Sequence, residues 1–183
     1  MMQVCHFHAD EGVIGTLTGN PDGSRKFTCP RTKGHPHPGP YTWLVVPEPP
    51  QAAAEESLAS RYELATELPA AVAACHGRWV EYGVVEHAYA TARPDDFAEL
   101  VSRFGHTAIQ PGQYTVSSYL ARRLGSLSRT GAVLYHDGPA TGRWDYDAGI
   151  SWWAIDPEPD WSLRLSWADS GLSMDYVPGG HEK

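Results

Sequence analysis

The order of apolar and polar positions separates a short region without helical period from a longer one that has it. Phe97, Leu100, Val101 and Phe104 fall at the spacing of one buried helix face. Pro94 suits the first turn of that helix, Asp95 and Asp96 complement its positive end, and Gly105 stops it. A second stripe, Val116, Tyr119, Leu120, Leu124 and Leu127, predicts a helix opened by Thr115 as N-cap and closed at Thr130 and Gly131. Upstream, Val80, Val84 and Ala88 put residues 79–90 on another helix, against the preferences of Gly83 and the valines. Residues 54–68 carry Leu58, Tyr62 and Ala65 at helical spacing and meet Pro69, where a helix is expected to end. Residues 132–136 and 150–155 lose the period and read as strands, joined by a polar, glycine-punctuated loop.

Residues 1–46 show only short strand-like runs, rich in Gly, Pro, His and Cys, and a stretch with Pro47, Pro49 and Pro50 reads as an extended linker. The expected organisation is α+β: a small β-rich module over 1–46, a linker and connecting helix over 47–78, a mainly helical unit over 79–156, and an irregular tail over 157–183. Hydrophobic residues make up 42% and charged residues 20% of the 183, which is ordinary for a globular chain and not for a disordered one. No apolar run approaches the roughly 20 residues that span a bilayer, and the three cysteines are too few for a disulfide framework. The expectation is a soluble, cytoplasmic protein without a membrane partner.

Cys5 and His8 form one short-spaced pair, and Cys29 and His35 form a second. A strand, the turn around Asn20-Pro21-Asp22-Gly23, and a returning strand bring Cys29 back towards Cys5. Two such pairs carried on turns are the pattern of a structural zinc site, and a segment so poor in large apolar side chains needs a staple. Zn2+ is therefore the expected cofactor, with His6 and His37 as alternative ligands. Residues 27–30, Phe-Thr-Cys-Pro, resemble the knuckle of a zinc ribbon.

The net charge of −8 opposes nucleic-acid binding, but the distribution is uneven. Residues 113–144 hold Arg122, Arg123, Arg129 and Arg143 against Asp137 alone. Ser117, Ser118, Ala121, Arg122 and Gly125 lie opposite the leucine stripe, small side chains with an arginine that suit a helix in the major groove. Helix, helix, recognition helix and strand hairpin is the order of a winged helix-turn-helix. Residues 114–135, YTVSSYLARRLGSLSRTGAVLY, resemble the recognition helix and first wing strand of bacterial winged-helix domains, and residues 138–155 are similar to stretches of uncharacterised actinobacterial proteins. The resemblance implies a sequence-specific transcriptional regulator that binds double-stranded DNA as a monomer or a homodimer, with Thr115, Ser117, Ser118, Arg122, Arg123 and Arg129 on the helix and Thr141 and Arg143 on the wing as contacts. The alternative is an adaptor of the transcription machinery that uses the winged helix without touching DNA. No nucleophile elbow, phosphate loop, His-Glu-x-x-His or dinucleotide fingerprint is present in the sequence, so no enzyme is expected.

Overall fold

The computed structural model describes residues 1–18, 23–46, 52–106, 114–141 and 149–173, of which 52–56 as backbone alone. The chain begins with five short strands: β1 (Met2–Cys5), β2 (His8–Ile14), β3 (Thr16–Leu17), β4 (Arg25–Cys29) and β5 (Tyr41–Val45). β1 and β2 make an antiparallel hairpin with Met2 opposite Ile14 and Cys5 opposite His8, and its register shifts between Val4 and Cys5. That shift re-aims the last residue of β1 into the turn, as bulges do. β3, β4 and β5 form an antiparallel sheet in that order, Phe27 opposite Trp43 and Cys29 opposite Tyr41. Alternation puts Phe27, Cys29, Tyr41 and Trp43 on one face, where the Phe27 and Trp43 rings stack 5.5 Å apart.

The remainder is helical with one further sheet. α1 (Ala52–Arg61) and α2 (Leu64–Ala73) precede β6 (Val80–Glu81), α3 (Tyr82–Ala92), α4 (Pro94–Phe104) and α5 (Val116–Arg129). β7 (Leu134–Gly138) and β8 (Ile150–Ala154) follow, and β6, β8 and β7 pair antiparallel in that order. β8 is central and all five of its residues are buried, which is why its sequence does not alternate. The architecture is mixed α+β, as expected.

Two element boundaries differ from the sequence expectation. The helix expected over 54–68 breaks at Tyr62 and Glu63, where Glu63 takes a left-handed φ of 51°. Pro69 lies inside α2 and does not end a helix, because burial of Leu64, Leu68, Ala71 and Val72 offsets the hydrogen bond it cannot donate. The helix expected from residue 79 starts at Tyr82: Glu81 N donates to Leu165 O (3.0 Å) and Leu165 N to Trp79 O (2.7 Å), holding β6 extended.

α5 begins and ends as the sequence indicates. The Thr115 hydroxyl accepts from Ser118 N, and the far end closes with Ala132 N on Leu127 O (3.1 Å) and Gly131 N on Ser128 O (3.4 Å). Its faces differ from the expectation, however. Arg122, Arg123 and Gly125, expected on an open side, are buried together with the leucine stripe. β5 lies along that side: a Cβ on Gly125 would meet the Leu44 carbonyl oxygen at 2.8 Å, so glycine permits the close approach. Tyr41 donates its hydroxyl to Ser128 O, and Leu44 N donates to the Ser128 hydroxyl at 3.4 Å. One hydrophobic cluster runs from Phe27 and Trp43 through α5 to Trp152 and Trp153.

Candidate metal centre

Four side chains from two β-turn segments converge at the end of the N-terminal sheets. Cys5 is the last residue of β1, His8 the first of β2, Cys29 the last of β4, and His35 lies in the loop before β5. Their ligand atoms all lie within 4.8 Å of one another. Cys5 Sγ stands 3.7 Å from His8 Nδ1 and 3.7 Å from His35 Nε2, and Cys29 Sγ stands 3.6 Å from His8 Nδ1. A tetrahedral zinc ion with bonds of about 2.3 Å to sulfur and about 2.05 Å to nitrogen sets S···N edges of about 3.6 Å. Those three S···N distances are compatible with the edges of such a site, and the four side chains could hold a metal ion.

The surroundings prepare these groups for metal. His35 Nδ1 donates to Gly39 O at 3.1 Å, which fixes the tautomer and leaves Nε2 as the lone-pair atom facing Cys5. Burial, the largest influence, lowers the His35 pKa below 6.5 and favours the neutral ring a metal needs. Burial pushes the Cys29 thiol up, opposed by the Arg31 amide and reinforced by Cys5, so metal must displace protons. Gly34 has a φ of 82°, and a Cβ there would lie 2.9 Å from His8 Nε2; the glycine serves both the turn and the imidazole. Phe7 closes one side, edge-on to Tyr41 (4.9 Å) and His35 (5.8 Å). Cys5 and Cys29 are 1% and 0% exposed. Outside, Arg31 bridges Asp10 (2.5 Å) and Glu11 (3.1 Å), tying β2 to the loop after β4.

The two alternative histidines stand elsewhere. His6 packs its ring on Phe7, and His37 Nδ1 lies 3.2 Å from Glu158 Oε2; neither belongs to the cluster.

The residues expected to touch DNA are not gathered on one outer face. Thr115 is a buried cap, the Ser118 hydroxyl faces Thr115, and Ser117 donates to Glu86 Oε2 at 2.6 Å. Arg122 and Arg123 are 9% and 8% exposed. Arg129 is exposed at the end of α5. Thr141 uses its hydroxyl inwardly, donating to Glu81 Oε2 at 2.6 Å and accepting from Ala168 N at 3.1 Å. Arg143 lies outside the described residues.

Two buried carboxylates escaped the sequence reading. Glu86 accepts from Tyr82 (2.8 Å) and Ser117 and pairs with His106 Nε2 at 2.8 Å. Burial, then Glu86, raises the Tyr82 pKa well above 10, which keeps the phenol a donor. Glu81, 0% exposed, accepts from Thr141 N (2.8 Å), the Thr141 hydroxyl and Trp167 N (2.7 Å), anchoring the C-terminal segment to β6. The available signal was two glutamates inside the apolar run of residues 79–90, since a buried carboxylate persists only with partners.

No family model, no curated protein and no solved structure matches this chain. Among the described residues, no helix is long and apolar enough to cross a membrane.

Proposed function

We propose that Cys5, His8, Cys29 and His35 hold one structural zinc ion, and that the protein is a zinc-stapled adaptor that presents its N-terminal hairpin to another protein. The observation that carries this reading is the convergence of four ligand atoms within 4.8 Å of one another at the closed end of that hairpin. Two thiolates from buried positions and two half-buried imidazoles would complete the zinc coordination shell, the arrangement of structural rather than catalytic sites. Fixing the hairpin matters because it exposes apolar side chains: Met2, Val4 and Ile14 are 68%, 49% and 78% exposed, and Leu17 in the following strand β3 is 60% exposed. Grouped apolar exposure of this kind marks contact surfaces. The partner is a protein that offers an apolar face, and the winged-helix resemblance makes the transcription machinery the class to examine first.

DNA regulation through α5 is the competing reading. In its favour stand the helix–helix–helix–hairpin order and the exposed Arg129. Against it, β5 covers the arginine-bearing side of α5, and the hydroxyls of Thr115, Ser117 and Thr141 are bonded inside the protein.

The test has three readings on one preparation. Elemental analysis should give one zinc per chain. Anisotropy titration against duplex DNA should show no binding that falls steeply with salt, the signature of phosphate contacts. A protein that co-purifies with the parent should be lost from Ile14→Asp while zinc content stays the same. Salt-sensitive DNA binding abolished by Arg122→Ala, in a variant that keeps its fold, would overturn the adaptor in favour of the regulator.

A further inference from the structure

Two of the four side chains in the metal cluster have a chemistry of their own. Cys5 and Cys29 can be oxidised reversibly, and their sulfur atoms lie within 4.8 Å of each other. They come from separate strands: Cys5 ends β1 and Cys29 ends β4. Both stand where a strand passes into a turn, Cys5 directly after the register shift of β1. Such places let the backbone yield as two sulfurs close to the roughly 2.05 Å of a disulfide. The two thiols are buried, whereas His8 and His35 are half-buried, which leaves the imidazole side as the route for a small reagent. Cys75 stands apart after α2, with its thiol 3.7 Å from Ala71 O, and does not belong to the cluster.

We propose that this site is a redox switch, in which hydrogen peroxide joins Cys5 to Cys29 and the zinc ion is released. The proposal rests on the zinc reading above. One thiolate attacks a peroxide oxygen; the O–O bond breaks, and a sulfenic acid and hydroxide form. The second thiolate attacks that sulfur; the S–O bond breaks, hydroxide leaves and the S–S bond forms. The two sulfurs lose two electrons, the peroxide gains them, and two protons from solvent turn the hydroxides into water. The neighbouring thiolate matters, because it traps the sulfenic acid before further, irreversible oxidation. A disulfide offers a metal no thiolate, so two of the four ligands are withdrawn at once. The covalent bond keeps β1 tied to β4, while His8 and the loop carrying His35 come free. A dithiol reverses the exchange and restores the ligand set.

The test uses the full chain carrying Cys75→Ser, which leaves Cys5 and Cys29 as the two remaining thiols of three. The reduced, zinc-loaded protein is treated with hydrogen peroxide while a chelating dye reports free zinc and a thiol reagent counts cysteines. The expected result is loss of the zinc in step with both thiols, and a Cys5–Cys29 peptide pair that is two hydrogens lighter by mass spectrometry. Zinc binding should return after a dithiol. That recovery separates the switch from general damage, since sulfoxides at the exposed Met1 and Met2 need a dedicated reductase. Because Cys75 is buried, the parent chain is run alongside and should lose two thiols and keep the third. Zinc retained with both thiols intact overturns the switch and leaves the structural zinc site standing. Zinc lost with sulfinic acid in place of the disulfide, or with bridges between chains, overturns it as well. A reduced chain that takes up no zinc overturns the zinc reading itself, and the switch with it.

Discussion

The β1–β2 hairpin and the α5–β8 body solve the same problem with different chemistry. In the body, α5 buries Val116, Tyr119, Leu120 and Leu124, and β8 buries Trp152 and Trp153, all at 1% exposure or less within one hydrophobic cluster. Each such side chain contributes roughly 1.5–3 kcal/mol on burial, and the buried Glu81 and Glu86 networks add to it. In the hairpin, Cys5 and Val13 are the buried apolar residues, while Met2, Val4 and Ile14 face outwards. A two-stranded hairpin with so little buried surface is marginal in water. Under the proposed zinc site, the ligand cluster at its closed end would supply the missing energy and free the outward face for apolar side chains. The strands β4 and β5 are intermediate: their aromatic face packs on α5 and their far end delivers Cys29.

The largest effect should come from the metal ligands. Cys29→Ser is expected to remove zinc and unfold the hairpin and the 30–40 loop, since metal binding in such sites contributes on the order of 10 kcal/mol or more. The α5–β8 body should keep its near-ultraviolet tryptophan signal, and a loss of both together would break the distinction between the regions. Next in size, Glu86→Ala leaves His106 buried without its carboxylate; urea denaturation should show a loss of about 3–5 kcal/mol, with zinc content unaffected. Gly125→Ala drives a methyl against the Leu44 carbonyl and should cost about 1–3 kcal/mol in the same measurement.

Acid should separate the two regions further. His35 has a lowered pKa in the folded chain, so below about 6.5 the unfolded chain binds the proton more readily. Its contribution is neutral above that pH and turns unfavourable as the pH falls, in the same direction as the loss of metal from protonated thiols. A pH titration of zinc release should therefore lead the unfolding of the body. The smallest effect is expected from Arg31→Ala, which removes an exposed bridge to Asp10 and Glu11. Its stability change should stay within about 1 kcal/mol, as for surface ion pairs in general.

Much of this was legible in the sequence, for identifiable reasons. α4 follows from the spacing of Phe97, Leu100 and Phe104 and from strong punctuation at Pro94 and Gly105; α5 follows from Thr115 and Gly131. The convergence of Cys5, His8, Cys29 and His35 was readable because short-spaced donors sit on turns joined by returning strands. The buried side of α5 was not readable, because a glycine and two arginines look like a solvated face until β5 is placed on them. That contact links residues 44 and 125 and leaves no local periodicity to detect. Pro69 misled for a related reason: tertiary burial of Leu68 and Val72 outweighs one missing hydrogen bond. Glu81 and Glu86 depend on partners as distant as Thr141, Trp167 and His106, and only their presence in an apolar run hinted at them.

Amide hydrogen exchange before and after zinc removal by a chelator tests the central claim most directly. The account predicts that β1, β2 and the 30–40 loop lose protection when zinc leaves, while β7, β8 and α5 stay protected. Equal protection of the hairpin with and without metal would contradict it, and would show that the four ligands meet without serving as the staple.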